Sequence, residues 1–369
     1  MGRSPGALPP SGVRCTGSSP HGATAVTLEW VAAAAIGLLC GGLLLGLYAT
    51  QLEPYRPALR RIRVGVPPEW PRLSILHLSD LHVRTGGDRL YRAQEHFLRS
   101  VPSTPDLVCV TGDVCEQLVD APRVAALLDL IRPRVATLVV LGNHEHDARM
   151  PGSLRRTLHT GWRWLAQLAS WLLGDRVRSA GAGKADAIAE ALGAAGLRVL
   201  MNEGVRLDVD QRSLWVAGSD SIWGGRAHAA AALRGQQDGE PCLGLVHEPE
   251  GAPALIARGA AVALAGHTHG GQVALPRVGA PYTPYTLRAD PRIRIAAGPQ
   301  RLGRGVLHIS AGLGHTTPLR LNCPPEATWI ECVPAAAPAA TAAPSPSALA
   351  VEPLMLEGDG ASTGGASRR

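Results

Sequence analysis

The sequence predicts an α/β domain built in layers, preceded by a single membrane-spanning helix. Short apolar runs rich in Val, Leu and Ile alternate with polar or helical stretches through most of the chain. Seven of these runs end in a polar cluster, as buried strands do where they meet a loop. An uncharged stretch near the N-terminus is long enough to cross a bilayer. Alternating strands and helices are typical of the α/β class.

The predicted strands are apolar runs of roughly five residues, too short for helices and rich in β-branched side chains. In chain order, they are RLSILHLSD, DLVCVTGD, ATLVVLGNHE, LWVAGSD, CLGLVHEPE, AVALAGHTHGG and VLHISAGLG. Helical patterns lie between several of them, for example at residues 121–130 and 184–195. Apolar strands of this kind are predicted to be buried in an α/β layered domain.

Composition permits a large core and limits the classes of partner. The 369 residues are 46% hydrophobic, which is enough for one large domain or two small ones. The formal net charge of +6 suits an anionic membrane surface or a phosphorylated substrate, but it is too diffuse to predict nucleic-acid binding. The seven cysteines include no CxxC pair, so we expect neither a zinc ribbon nor a disulfide framework.

The stretch 30–49 carries no charge and matches one bilayer-spanning helix, with Trp30 and Tyr48 where interfacial aromatic residues would lie. A cleaved signal peptide is the alternative, but the run is long for one and its preceding segment is long and weakly basic. More arginines follow the span than precede it: Arg56, Arg60, Arg61 and Arg63 against Arg3 and Arg14. This bias favours a cytoplasmic catalytic domain.

Five zones follow from these patterns. They are a disordered N-terminus (1–25), a transmembrane helix (26–50), a linker (51–71), the globular domain (72–333) and a disordered tail rich in Pro, Ala, Ser and Gly (334–369). Within the globular domain, residues 150–180 form an insertion with an amphipathic, basic and Trp-containing helical pattern. This helix could lie in the bilayer interface, cap the site over acyl chains, or simply pack on its own domain.

The polar clusters at the strand ends contain side chains of the types that serve as metal ligands. They are Asp80 with His82, Asp113, Asn143 with His144, His247, and His267 with His269. Side chains two residues apart on an extended chain point to the same side, so both members of a D-x-H or H-x-H pair can reach one ion. Ligand sites of open α/β sheets lie beyond the carboxyl ends of the strands. Five strands therefore deliver these side chains to one edge, as a dinuclear metal site requires.

The remaining histidines are interpreted as ordinary surface or core residues. They are His21, His77, His96, His159, His228, His308 and His315, while His146 stays undecided because it lies so close to the GNHE motif. An isolated D-x-H or H-x-H arises by chance in many chains. The specific signal is the ordered set D-x-H, GD, GNHE, H and GHTH.

That ordered set resembles the calcineurin-like metallophosphoesterase superfamily, over residues 72–332. Within it, GHTHGGQ and the later GLG…NCPPE are similar to the membrane-anchored bacterial subfamily related to UDP-2,3-diacylglucosamine hydrolases. Its short "EP" segment between the helix and the first motif appears here as Leu52-Glu53-Pro54. The resemblance implies a four-layer α/β/β/α sandwich and a single-pass protein of the bacterial inner membrane.

The resemblance also assigns roles by position. It implies that Asp80, His82 and His269 hold a first metal ion and that Asn143, His247 and His267 hold a second. Asp113 would bridge the two ions, and His144 would protonate the leaving oxygen. Ligands of these types suit Mn²⁺, Fe²⁺ or Zn²⁺, and two such ions activate water for attack on a phosphoryl group.

Two substrate classes remain open at this point. One is a membrane-associated phosphorylated lipid, such as a UDP-2,3-diacylglucosamine-like molecule, cleaved at a phosphodiester or pyrophosphate bond. The other is a soluble or cell-wall phosphate, with the helix serving only as an anchor to the bilayer. A metal-binding scaffold without activity is a third reading, disfavoured because no expected ligand is missing. Oligomeric state leaves no signal in the sequence.

Overall fold

The computed structural model describes residues 21–147, 182–276, 279–280, 292–294, 296–335 and 351–353. The predicted helical insertion at 150–180 lies outside the described residues. The chain divides into two compact units, 1–47 and 48–369.

The first unit contains helix α1, which spans His21–Leu47. It therefore begins inside the segment that was predicted to be disordered. The most apolar 18-residue window of the stretch Trp30–Tyr55 has a mean hydropathy of 2.1, and no residue of that window is buried. Among the described residues, one helix is long enough and apolar enough to cross a membrane, and it lies in this stretch.

The second unit begins with a π-helical turn at Tyr48–Leu52 and a 3-10 turn at Glu53–Tyr55. Its helices are α2 (Asp88–Arg99), α3 (Ala121–Leu128), α4 (Ala182–Ala194), α5 (Ala229–Ala232) and α6 (Ala252–Ile256). Further 3-10 turns lie at Leu118–Asp120, Pro249–Gly251 and His269–Gly271.

The strands of the second unit, in chain order, are β1 (Ala58–Val66), β2 (Leu73–Leu78), β3 (Leu107–Thr111), β4 (Ala136–Val140), β5 (Arg198–Val199), β6 (Glu203–Val209), β7 (Arg212–Gly218), β8 (Cys242–Leu245), β9 (Val262–Ala265), β10 (Gly298–Leu302), β11 (Gly305–Ile309), β12 (Glu326–Pro334) and β13 (Val351–Pro353). One sheet has the order β13-β1-β12-β2-β3-β4-β5, and the other has the order β10-β11-β9-β8-β7-β6. Strands β2 to β5 run parallel to one another, as do β7, β8, β9 and β11.

The two sheets pack face to face, and helices cover both outer faces. Along β2, Ile75 belongs to the core between the sheets, whereas its neighbour Leu76 packs with α2, α3 and α4 on the outer face. Leu264 of the second sheet meets Ile75 in that inner core. Helices α5 and α6 cover the outer face of the second sheet with side chains such as Leu255. The order of layers is thus α/β/β/α, which confirms the predicted fold class.

The predicted linker at 51–71 is wrong in its central part, because residues 58–66 form strand β1. This strand pairs in parallel with β12 along its whole length, from Ala58↔Glu326 to Val66↔Pro334. Ile62, Val64 and Val66 are buried, while Arg63, between the first two, is exposed. Alternation of apolar and basic side chains is the pattern of a strand with one solvated face. The density of arginines conceals that pattern in the sequence.

The tail beyond residue 333 also contributes to the first sheet. Residues 351–353 form β13, which pairs antiparallel with β1 at Ile62↔Pro353. The segments on either side of β13, 336–350 and 354–369, lie outside the described residues. Part of the tail that was predicted to be disordered is therefore an edge strand.

Candidate metal centre

The seven predicted ligands and His144 come together at one edge of the sandwich. Each follows the carboxyl end of a strand: β2, β3 and β4 in the first sheet, and β8 and β9 in the second. They are Asp80, His82, Asp113, Asn143, His144, His247, His267 and His269, and all are buried except His144, which is half-buried. Because the two sheets lie face to face, loops from both reach the same place.

A first group of ligand atoms consists of Asp80, His82 and His269. The Nε2 atoms of the two histidines are 3.3 Å apart. Asp80 Oδ1 lies 3.5 Å from His269 Nε2 and 4.0 Å from His82 Nε2. Three potential ligand atoms therefore surround one point.

A second group consists of Asp113, His247 and His267, with Asn143 beside it. His247 Nε2 lies 3.3 Å from Asp113 Oδ2, 3.2 Å from Asn143 Oδ1 and 3.1 Å from His267 Nδ1. The other nitrogen, His247 Nδ1, is 2.7 Å from the carbonyl oxygen of Thr111. Since a carbonyl can only accept, Nδ1 carries a proton, and Nε2, which faces the group, is the nitrogen that would bind a metal ion.

Asp113 lies between the two groups. Its Oδ2 is 3.7 Å from His82 Nε2, 3.3 Å from His247 Nε2 and 3.8 Å from His144 Nε2. Its Oδ1 accepts a hydrogen bond of 2.9 Å from the backbone N–H of His144. One carboxylate oxygen thus faces histidines of both groups.

These residues fit divalent cations. Metal–nitrogen and metal–oxygen bonds of about 2.0–2.2 Å place neighbouring ligand atoms about 3.0–3.5 Å apart. Most separations within each group lie in or near that range. Imidazole, carboxylate and amide donors are the ligands of Zn²⁺, Fe²⁺ and Mn²⁺. Burying so many polar atoms raises the free energy of the folded state, and a bound cation would offset that cost.

The backbone around the ligands adopts conformations that side chains seldom take. The φ angles of Asp80, His82, Asp113, His267 and His269 are all positive, between 48° and 69°. Such left-handed residues are uncommon and cluster at functional sites, where the surrounding structure holds them in place. Strands β2, β3 and β9 therefore turn sharply at their carboxyl ends, and these turns aim the ligand side chains across the edge of the sheets.

Gly112, immediately before Asp113, shows how tightly the backbone packs against the ligands. Its φ is +78°, and a Cβ placed there would lie 2.5 Å from His247 Nδ1 and 2.8 Å from the backbone nitrogen of Gly142. Only glycine permits both this conformation and this close approach.

Electrostatics within the centre favours an ionised bridging carboxylate. Burial alone would raise the pKa of Asp113, but the charges of His247 and His144 hold this pKa well below its usual range. Burial opposes a charge on His247, yet Asp113 and Asp80 hold the pKa of His247 well above its ordinary value. Burial lowers the pKa of His267 and of His269 well below the ordinary value, so both rings are neutral and can bind a metal ion.

Glu116 belongs to the centre, although the sequence did not reveal it. Its Oε1 lies 3.1 Å from His82 Nδ1 and 3.1 Å from His144 Nδ1. Hydrogen bonds from these histidines outweigh burial and lower the pKa of Glu116, so the carboxylate is ionised and only accepts. It therefore fixes both rings with Nε2 turned towards Asp113.

Replacing Glu116 by Gln is expected to weaken metal binding by about 10–100-fold, as the loss of a carboxylate that orients a histidine ligand does elsewhere. Metal titration of the detergent-solubilised full chain measures the effect. Glu95→Gln makes the same change on α2, where Glu95 pairs with Arg99, and is the control. Equal affinities for the two variants would show that Glu116 does not orient the ligands.

Two more buried charged residues support the ligand loops. Glu145 accepts hydrogen bonds from the backbone nitrogens of Asp113, Cys115 and Gly142. Arg320 is fully buried and donates to the carbonyl oxygens of His269 and Gly314 at 3.1 Å and 2.8 Å. Its other contacts include His269 Nδ1 at 3.2 Å. Glu145 is the last residue of the GNHE motif, whereas Arg320 stands in no motif and no sequence signal points to it.

His146, which the sequence left undecided, is a structural residue. It is fully buried, and its Nε2 lies 2.6 Å from Asp220 Oδ1. His77 and His308 also form a buried pair, with their Nδ1 atoms 3.1 Å apart between the sheets. Among the described residues, none of these three joins a metal-ligand group.

A four-layer sandwich with two groups of ligands sharing one carboxylate defines the class of metal-dependent phosphoesterases. The model of the calcineurin-like phosphoesterase family matches residues 73–271, just over half of the chain. The chain belongs to this family, and the membership confirms the predicted class of metallophosphoesterase.

Characterised and uncharacterised bacterial proteins are similar to this chain. Phosphodiesterase YaeI of Escherichia coli is 32% identical over 160 residues, which cover 43% of this chain and 56% of that protein. The chain thus spans a little over half the length of that relative. The uncharacterised metallophosphoesterase YkuE of Bacillus subtilis is 26% identical over 76% of this chain and 87% of its own length. Phosphopantetheinyl hydrolase PptH of Mycobacterium tuberculosis is 13% identical, with a TM-score of 0.38, over 74% of this chain and 99% of that structure.

Proposed function

We propose that the protein hydrolyses phosphodiester or pyrophosphate bonds with the help of two divalent metal ions, Mn²⁺, Fe²⁺ or Zn²⁺. The observation that carries this proposal is Asp113 Oδ2, which faces histidines of both ligand groups at 3.3 Å and 3.7 Å. A single carboxylate between two sets of ligands is the arrangement that a bridged pair of ions needs. Asp80, His82 and His269 would hold one ion, and Asn143, His247 and His267 would hold the other.

Two ions in such a site lower the pKa of an attacking water and offset the negative charge on the phosphoryl oxygens. The chain's own residues would orient the substrate and move a proton. His144 is the most exposed of the eight residues, with 18% of its side chain accessible. Its Nδ1 contacts Glu116, and its Nε2 would donate a proton to the leaving oxygen. No serine or cysteine nucleophile is required.

The proposed substrate is a membrane-associated phosphorylated lipid of the UDP-2,3-diacylglucosamine type. Helix α1 would keep the enzyme at the bilayer, and the resemblance to membrane-anchored diacylglucosamine hydrolases points to this substrate. The arginines that follow the helix favour a catalytic domain on the cytoplasmic side of the inner membrane. A soluble or cell-wall phosphate is the alternative that an assay must separate.

Metal-dependent hydrolysis of bis-p-nitrophenyl phosphate by the detergent-solubilised full chain tests the proposal. Chelation is expected to abolish turnover, and Mn²⁺ to restore it. Preference for this diester over p-nitrophenyl phosphate would support a diester or pyrophosphate substrate. If no metal ion restores turnover of either ester although the protein binds the ion, the proposed activity is wrong.

His144→Gln is expected to lower the turnover of the diester by about 10²–10⁴-fold, the usual contribution of a general acid. Metal content should stay the same, because His144 is not assigned as a ligand. His96→Gln changes an exposed histidine of α2 in the same way and is the control. If His144→Gln also lost its metal ions, His144 would be a ligand and not the proton donor.

A further inference from the structure

Four loops on one side of the metal centre form a continuous surface, which we name the juxtamembrane rim. It consists of residues 51–55, 84–89, 117–120 and 316–320. The second of these segments directly follows Val83 and the metal-ligand candidate His82, and the third directly follows Glu116. The rim therefore borders the centre where His144 and Glu116 reach the solvent.

Hydrogen bonds hold the four segments together. Arg89 donates to Gln51 and stacks on the ring of Tyr55, with its Cζ 3.8 Å from the ring centroid. Thr85 donates twice to Asp120, from its backbone nitrogen and its hydroxyl. The segment 84–89 thus ties the start of the catalytic unit to the loop beyond Glu116.

The last segment, 316–320, is joined to the same network. Arg84 donates to the carbonyl oxygen of Thr316 at 3.4 Å, and the backbone nitrogen of Arg320 donates to Ala49 at 2.8 Å. Arg320 in turn holds the His269 loop through its guanidinium group. The rim, the residues after α1 and a metal-ligand loop are therefore one connected structure.

Large apolar side chains on this rim are exposed to solvent. Val119 is 67% exposed, Leu118 45% and Leu52 43%, and Leu319 is also exposed. They lie on three of the four segments, and the remaining segment, 84–89, carries Arg84 and Arg89. Apolar side chains with arginines beside them are typical of surfaces that lie in the bilayer interface.

We propose that the juxtamembrane rim rests on the surface of an anionic lipid bilayer, so that the metal centre opens at the headgroup layer. This inference deepens the proposed function and rests on it for the substrate class: a phosphoester whose alkyl chains stay in the membrane. The bilayer is favoured over a protein partner because Tyr48, the first residue of the catalytic unit, immediately follows the apolar helix α1. The chain therefore enters the rim within a few residues of the end of its anchor.

Exposure of the rim can be measured without any assay of activity. The background for this measurement is the full chain with Cys15→Ser and Cys40→Ser. One new cysteine, Val119→Cys, is labelled with an environment-sensitive fluorophore, and the protein is placed in phosphatidylglycerol nanodiscs. The other five cysteines are buried and should not react. Asp238→Cys is the control, because Asp238 is an exposed residue in the loop that precedes β8, at the edge of the sheet opposite His247.

Nitroxide lipids labelled at the headgroup are expected to quench the fluorophore at position 119 but not at position 238, and iodide is expected to quench only at 238. Two results would overturn the proposal. One is equal quenching by iodide at both positions, which means that water surrounds the rim. The other is protection from iodide at 119 without quenching by nitroxide lipid, which means that protein covers the rim.

A second experiment links the rim to the substrate. Leu118→Asp combined with Val119→Asp is expected to lower the hydrolysis of hexadecyl p-nitrophenyl phosphate in the nanodisc by about tenfold, because it removes apolar contact with the interface and adds repulsion from anionic lipid. Hydrolysis of soluble bis-p-nitrophenyl phosphate should not change. Gln211→Asp with Gln237→Asp adds the same charge at the opposite edge and should change neither rate.

The two proposals fail in different ways. If the unmodified protein cleaves neither ester with metal, the proposed function is wrong, while the quenching measurement still decides where the rim lies. If the unmodified protein cleaves both esters and the aspartate variant loses neither, or loses both equally, the rim does not present lipid substrates to the centre.

Discussion

Asp113→Asn is expected to lower the rate of diester hydrolysis by about 10³-fold or more, because loss of the shared negative charge removes several kcal/mol of metal-dependent stabilisation. Asparagine keeps the shape of the side chain and can still accept from the backbone N–H of His144 at Oδ1. The change therefore removes the charge and the second carboxylate oxygen without opening a cavity. Since its pKa lies well below the usual range, Asp113 stays ionised at neutral pH in the unmodified protein.

Metal content and kcat/KM should be measured on the same preparations. We expect Asp113→Asn to retain less than the full complement of metal ions, because the carboxylate serves both ligand groups. Asp129→Asn replaces an exposed aspartate that pairs with Arg132 and should leave both quantities unchanged. Full activity of Asp113→Asn with a full metal complement would contradict the assignment of Asp113 as the bridging ligand.

Arg320→Met is expected to lower the free energy of unfolding by about 3–5 kcal/mol, because it leaves several buried hydrogen-bond acceptors without a donor. The guanidinium group donates to the carbonyl oxygens of His269, Gly314 and Cys323, and Arg320 has no exposed surface. Methionine fills a similar volume but leaves these acceptors buried without a donor, and each loss of this kind costs about 1–3 kcal/mol.

Urea unfolding of the detergent-solubilised chain, followed by circular dichroism, measures this effect. Arg320→Lys is expected to recover only part of the stability, because an ammonium group cannot reproduce the planar fork that spans several carbonyl groups. Arg258→Met removes an exposed arginine and should change the free energy of unfolding by less than about 0.5 kcal/mol. A loss no greater than that of Arg258→Met would show that Arg320 does not support the His269 loop.

Sequence patterns predicted those strands and helices whose signal is contained in a short stretch of the chain. All seven predicted strands are present, from β2 at Leu73–Leu78 to β11 at Gly305–Ile309. The two helical patterns correspond to α3 and α4. Strand β1 was missed because arginines interrupt its apolar alternation, and β12 because its pairing with β1 joins residues far apart in the chain.

The ligand candidates were found because metal binding needs particular donor atoms at strand ends, and these leave a readable pattern. Supporting residues outside those motifs leave none. Glu116 is 34 residues from His82, Arg320 is 51 from His269, and Glu53 Oε1 accepts from the nitrogen of Cys323 across 270 residues. Many residue types and positions could supply such hydrogen bonds, so nothing near the ligand specifies which one does.

By itself, the sequence determined the α/β class, an N-terminal segment apolar enough for a helix that crosses a membrane, and the donor atoms of a metal centre. These depend on side-chain type and short spacing, which local chemistry fixes. Only the tertiary structure decided that β1 completes the first sheet and that Asp113 faces both ligand groups. The same holds for Glu116, which orients two histidines, and for the contacts of Arg320 that join Ala49 to the His269 loop. Those features depend on the packing of two sheets, which brings together residues that the chain keeps far apart.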